Sequence, residues 1–222
     1  MLDEPVERQR LSDIAYDRLR TAIITGELQP GERVRDADLS ARIGISRTPV
    51  REALVRLTDA GLIEAKPNAH TRVTDLSRED VEHTLAVLQA MDQLAVQTGV
   101  PRLTSDDLQT MRGAHQAFSD AVDREDAVAA LAADDLFHGT LMGAAANPVL
   151  IRLVDQIHPT VHRVLHRKFS TLMGGRDTVE HHAHLLRLCA RRDAEQAATV
   201  SADHWRHLGG LIGDLFERAE LS

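Results

Sequence analysis

Twelve histidines occur in 222 residues, and nine of them fall at or after His138. Their spacing matters more than their number. Asp134 and His138 are four apart, so on a helix they share a face with Leu131, Leu141 and Met142. His182 shares a face with Val179, Leu185, Leu186 and Cys189. His204 belongs to the series Ala197, Ser201, His204, Leu208, Leu211, Leu215, which steps by four and three. One carboxylate and three imidazoles, from three helices, are therefore expected to point into one core. Burying them without a shared partner would be expensive. A divalent cation removes that cost, and this donor set suits Zn²⁺, Ni²⁺ or another first-row ion. Taken singly, each histidine reads more readily as a structural or surface residue. The shared facing is what favours a metal.

A second chemistry lies near the other end. Asp38 to Leu54 reads as helix, tight turn, helix. Leu39 and Ile43 share a face, and Gly44 supplies the positive φ of a sharp turn. Ser46 and Thr48 are good N-cap types, and Pro49 falls in the first turn, where a missing N–H costs little. Val50, Leu54 and Leu57 form the buried stripe of the second helix. Arg47, Thr48 and Arg51 stand at its start, away from that stripe, where a recognition helix presents donors to a DNA major groove. An ordinary helical hairpin with exposed arginines would show the same spacing. The next dozen residues favour DNA. Gly61 to Ala65 runs into a strand, Lys66-Pro67-Asn68-Ala69-His70 is a turn, and Thr71-Arg72-Val73 returns. This predicts a winged helix whose tip carries Asn68 and His70 towards a minor groove or phosphates.

Both sets of residues need elements to hold them. Residues 1–10 read as a flexible arm and residues 11–76 as the winged helix-turn-helix, opened by a helix over Leu11 to Thr25. Residues 77–222 read as an all-α bundle of about six helices, giving a mainly α fold. Ser77 caps the first, a helix from Val81 to Thr98 with Leu85, Leu88 and Leu94 inward. Further helices run from Thr104 to about Arg124, from Glu125 to Ala146, and from Val149 to about Phe169, disturbed at Pro159. The last two span Val179 to Arg191 and Ala194 to Glu217.

Composition narrows the classes. Aromatics are 3% of the chain, against a base-stacking single-strand binder. One cysteine excludes an internal disulfide framework and fits a reducing cytoplasm. There is no apolar signal core at the start and no run long enough to span a membrane. Net charge is −8 with histidines neutral, and residues 1–76 hold 12 Lys and Arg against 13 Asp and Glu. Duplex binding must then rest on a local basic face: Arg33, Arg35, Arg42, Arg47, Arg51 and Arg72.

The run Ser46-Arg47-Thr48-Pro49-Val50-Arg51-Glu52-Ala53-Leu54, with Leu28-Gln29-Pro30-Gly31-Glu32 before it and Gly61-Leu62-Ile63 after it, resembles the GntR family of bacterial transcription regulators over about Leu11 to Leu76. The resemblance implies that Arg47, Thr48 and Arg51 contact operator bases and phosphates, with Ser46 on a phosphate. Some relatives carry an arginine where Ala37 stands, and Arg35 is its substitute here. The remainder resembles the all-helical FCD effector domain of the FadR-type branch. Its metal motif is Asp-x-x-x-His followed by two histidines 22 residues apart, carried here by Asp134 and His138, then His182 and His204. Asp193 and Asn147-Pro148 also match. That spacing, with Leu185-Leu186, favours His182 over His181. The four-residue step to His138 favours Asp134 over Asp135. His184 and His207 read as surrounding or surface residues. His158, His162 and His166 form a stripe, read as a solvated face ahead of a cavity wall. Relatives often have an arginine where Leu88 stands, and Arg163 is the candidate for an effector carboxylate.

The expected protein is a cytoplasmic, homodimeric regulator on double-stranded operator DNA, a repressor as is most common in the family it resembles. It is not an enzyme. A small carboxylate metabolite would bind at the metal. The alternatives are a helical-bundle metal-dependent hydrolase, for which no HExxH pair or placed general base is visible, and a sensor whose histidines bind no metal.

Overall fold

A computed structural model describes residues 10–66, 70–172 and 176–218; the side chains of Lys66, His70 and Ser170 are outside that description. The arm expected over residues 1–10 therefore falls almost wholly outside it. The chain divides after Asp75 into two compact units.

The first unit contains α1 (Leu11–Ile24), α2 (Asp36–Ile43), α3 (Arg47–Asp59), β1 (Ile63–Lys66) and β2 (His70–Val73). The strands are antiparallel, with Ile63 opposite Val73 and Glu64 opposite Arg72. The Arg33 segment bridges to Arg72 and widens the wing. The turn between α2 and α3 forms as expected. Gly44 sits at φ 70° and donates its N–H to Ser40 O at 3.0 Å. The Ser40 hydroxyl ties the turn to Ile45 O at 2.5 Å. Ser46 is the N-cap of α3, but its side chain makes no capping bond. The buried stripe of α3 is Val50, Ala53 and Leu57, with Leu54 only partly covered, a shift of one position from expectation. Leu19, Ile23, Leu28, Leu39, Leu62 and Val73 close the small core around it.

The second unit is α4 (Arg78–Gly99), a 3₁₀ turn (Val100–Arg102), α5 (Ser105–Asp123), α6 (Ala127–Ala144), α7 (Pro148–Arg167), the single turn α8 (Phe169–Leu172), α9 (Arg176–Ala190) and α10 (Ala194–Glu217). Side chains satisfy orphan N–H groups at the helix starts. Ser77 accepts from Asp80 N–H, and Thr104 and Asp107 form a reciprocal capping box. Asp126, Asn147 and Asp193 cap α6, α7 and α10. α7 continues as one helix through Pro159; the proline removes one backbone hydrogen bond and crowds the carbonyl four residues before it, a disturbance that does not end the helix.

Leu94, expected inward, is 44% exposed. The inward series on α4 is Val81, Leu85, Leu88, Asp92, Val96 and Gly99. Leu94 lies two residues from Asp92, about 200° round the helix. Gly99 lets α4 approach α6 closely: a Cβ there would lie 2.6 Å from Leu141 O. That contact sets α6, one turn past His138, against α4.

Candidate functional site

On α3, Ser46, Arg47, Thr48 and Arg51 are all exposed. The four-residue step from Arg47 to Arg51 places both guanidinium groups over the start of α2. There they meet one carboxylate. Arg47 Nη2 donates to both oxygens of Asp36 at 3.0 Å, and Arg51 Nε donates to the same side chain. The Arg51 hydrogen bond, opposed by partial desolvation and joined by Arg47, holds Asp36 below the usual carboxylate range. Sequence reasoning missed this acid, although Asp36 is in the first turn of the preceding helix. Arg35, immediately before α2, is exposed and lines the same shallow depression as Arg33 and Arg51. Two further members of the expected basic face are also ion-paired: Arg42 with Glu27, and Arg72 with Glu64 and Asp75. Asn68 and the side chain of His70 lie outside the described residues.

In the second unit, α6 and α9 bring three of the four expected ligands together. His182 Nε2 lies 3.1 Å from Asp134 Oδ1 and 3.2 Å from His138 Nε2, and His138 Nε2 is 3.8 Å from Asp134 Oδ1. Bonds of 2.0–2.2 Å to one cation require donor-to-donor edges of about 3.0–3.6 Å, from octahedral to tetrahedral. Two edges fit and the third is slightly long, so the donors match a first-row ion in spacing as well as in type. His182 is fully buried, and Asp134 is 9% exposed. Phe137 stacks on the His182 ring at 4.4 Å between centroids, and Phe118 flanks it at 4.8 Å. Burial lowers the His182 pKa against the pull of Asp134, which keeps the ring in the neutral, metal-binding form. Burial alone would raise the Asp134 carboxyl. The His138, His182 and His204 imidazoles outweigh that and hold it well below the usual carboxylate range.

His204 stands beside this group rather than within it. Its ring stacks on His181 at 4.0 Å. Burial first, and the neighbouring imidazoles second, push His204 down to about 4 and His181 to about 2. Both rings line a cavity of about 570 Å³, with Thr178, Asp203, His207 and Leu208 among its walls. His184 and His207, expected as surrounding residues, face it as well. Arg163 is not among the residues that wall this cavity; it is 4% exposed, within the buried stretch Val161 to Leu165 of α7. Asp92, unforeseen, is buried and hydrogen-bonded by the Ser201 hydroxyl. Burial raises its pKa, with His138 and Ser201 pulling the other way. Its four-residue step from Leu88 was the signal available in the sequence. The stripe His158, His162, His166 is also corrected: His162 is 7% exposed and His158 and His166 are half-buried, because the packed side of α7 rolls round to this face.

Residues 11–73 match the profile of the bacterial regulatory proteins of the gntR family, and residues 83–207 match the FCD domain. An uncharacterized HTH-type transcriptional regulator from the TAR-I ttuE-ttuC' intergenic region of Agrobacterium vitis is 33% identical over 140 residues, 60% of this chain and 80% of that protein. The HTH-type transcriptional repressor RspR of Escherichia coli is 24% identical over 94% of this chain and 90% of its own. The solved structure of E. coli McbR/YncC shares the fold, with a TM-score of 0.84 at 20% identity over 94% of this chain and all of that one. Among the described residues no helix is long and apolar enough to cross a membrane. These relatives are regulators, and the hydrolase alternative finds no support among them. The chain belongs to the GntR family of bacterial regulatory proteins, carries an FCD domain, and is a DNA-binding transcription regulator rather than an enzyme.

Proposed function

We propose that this chain is a repressor released or strengthened by a small carboxylate metabolite, which it senses at a metal centre in the second unit. The observation that carries the reading is the convergence of Asp134, His138 and His182 beside a cavity large enough for such a metabolite. His204, on the cavity wall, is the fourth donor. A Zn²⁺ or Ni²⁺ ion there would supply open coordination positions for a carboxylate. His181, Thr178 and His207 would shape the remaining space, and the low basicity of His181 keeps it a hydrogen-bonding partner rather than a charge.

Operator reading falls to Arg47, Thr48 and Arg51, with Ser46 and Arg35 on phosphates and Asn68 and His70 at the wing tip. The protein acts as a homodimer on a near-palindromic site, one winged helix per half-site. Val87 and Leu94 on α4, and Val149 and Leu153 on α7, are exposed apolar side chains on two helices that pack together, and they support a subunit contact there. The metabolite changes operator affinity only by binding one arrangement of the dimer better than another. RspR, at 24% identity, is a named repressor, which supports that direction.

The test is elemental analysis of purified protein with His182→Ala beside it, followed by band shifts with a panel of small carboxylates. Metal in the wild type, lost in the variant together with the carboxylate response, is expected. Wild-type protein without metal, or a carboxylate response that survives His182→Ala, overturns the reading.

A further inference from the structure

The geometry points to a second divalent-cation site, formed by Asp135 of α6 with His158 and His162 of α7, distinct from the cluster at Asp134. Successive residues on a helix point about 100° apart. Asp134 therefore turns towards α9, while Asp135 turns towards α7. His158 and His162 are four apart and share one face, with ring centroids 4.9 Å apart. One donor atom from each of the three side chains lies within 4.8 Å of the other two.

The decisive group is His162. It is 7% exposed, and its Nε2 is buried with no hydrogen-bond partner among the described residues. Asp135 Oδ1 is 3.4 Å from that nitrogen, yet the two are not aligned as donor and acceptor. A buried imidazole nitrogen facing a carboxylate without bonding to it is costly. A cation between them gives the His162 nitrogen a partner, since 3.4 Å lies within the donor-to-donor range of about 3.0–3.6 Å set by first-row bond lengths. Two imidazoles and one carboxylate form a three-ligand set that suits Zn²⁺, Ni²⁺ or Co²⁺ and leaves positions for water. Asp135 is exposed, so solvent reaches the site on that side. The site exchanges its ion more readily than the enclosed cluster does, and its ion ties α7 to α6.

The experiment is titration of metal-free, untagged full-length protein with Co²⁺ alone, followed by visible absorption and by elemental analysis after gel filtration. Two equivalents per chain are expected for the wild type. His158→Gln and Asp135→Asn should each retain one, and His182→Ala should retain the other. The double variant His158→Gln/His182→Ala should bind none. His158 and Asp135 are not in the core, and circular dichroism verifies that each variant is folded. A cobalt count that is the same in His158→Gln and Asp135→Asn as in the wild type, whether one equivalent or two, overturns the second site. A failure of the Asp134 centre shows separately, as an unchanged count in His182→Ala.

Discussion

Arg51→Ala gives the sharpest test of how the first unit reads DNA. In the free protein the Arg51 guanidinium is 63% exposed and bonded to Asp36, which it shares with Arg47. An exposed ion pair of this kind contributes about 0–1 kcal/mol. A bidentate arginine contact to a base contributes about 1–3 kcal/mol of discrimination. The exchange of Asp36 for a base edge therefore runs downhill, and the base contact dominates the outcome. Removing Arg51 should weaken operator binding roughly 5- to 150-fold per half-site, at about 1.36 kcal/mol per tenfold. A symmetric dimer squares that factor. Because the side chain is exposed, stability should change by no more than about 0.5 kcal/mol. The assay is fluorescence anisotropy on a duplex selected from a random pool by the wild type, repeated across salt concentrations. If Arg51 touches a base, the salt slope stays put; if it touches a phosphate, the slope falls by about 0.9 per half-site. Asp36→Asn should move the other way, with tighter binding to random DNA and poorer discrimination. A folded Arg51→Ala protein that binds the selected duplex within about threefold of wild type would refute the reasoning.

Phe137→Ala removes a fully buried ring that stacks on His182 and should cost about 3–5 kcal/mol in urea unfolding, with weaker metal retention alongside. Gly99→Ala drives a methyl against Leu141 O and should destabilise by about 1–3 kcal/mol, read as a lower thermal midpoint. Adding Zn²⁺ or Ni²⁺ at about a hundredfold excess over its dissociation constant should stabilise the wild type by about 2.7 kcal/mol, and His182→Ala should lose that increment. The Thr104 backbone N–H and hydroxyl hold Asp107 below the usual carboxylate pKa. A depressed folded pKa gives stability that is present above the unfolded carboxylate value and is lost as pH falls through the folded one. Acid unfolding followed by circular dichroism should therefore begin at higher pH in Asp107→Asn, which lacks that contribution throughout.

The local elements were readable because their signals are local. Gly44, Ser46 and Pro49 mark the turn by backbone preference, and Ser77, Thr104 and Asn147 mark helix starts by side-chain chemistry. The approach of Asp134, His138 and His182 to one another was readable because helical spacing fixes which residues share a face. Phase errors arose where two faces compete. Leu94 drew the α4 stripe outward, and a buried acid at Asp92 contradicts the habit of placing carboxylates in water. Partners far apart in sequence left no periodic trace. Nothing in the run from Ser46 to Leu54 shows that Arg47 and Arg51 would share Asp36, and spacing within α7 cannot show that α6 covers His162. His204, expected as a ligand, lies near that group, but its stacking on His181 depends on ring orientations that no pattern encodes.

The aromatic flank of His182 has a consequence for ion choice at the proposed metal centre. Phe137 lies nearly parallel to the imidazole and Phe118 leans on it, so the ring has no room to swivel. Nε2 is committed to the Asp134 side before anything arrives, and Nδ1 cannot take its place. A nest that cannot re-aim its donors sorts visitors by radius and preferred angles instead of by affinity alone. Such stiffness favours a narrow set of ions over the tightest binder in the surrounding pool.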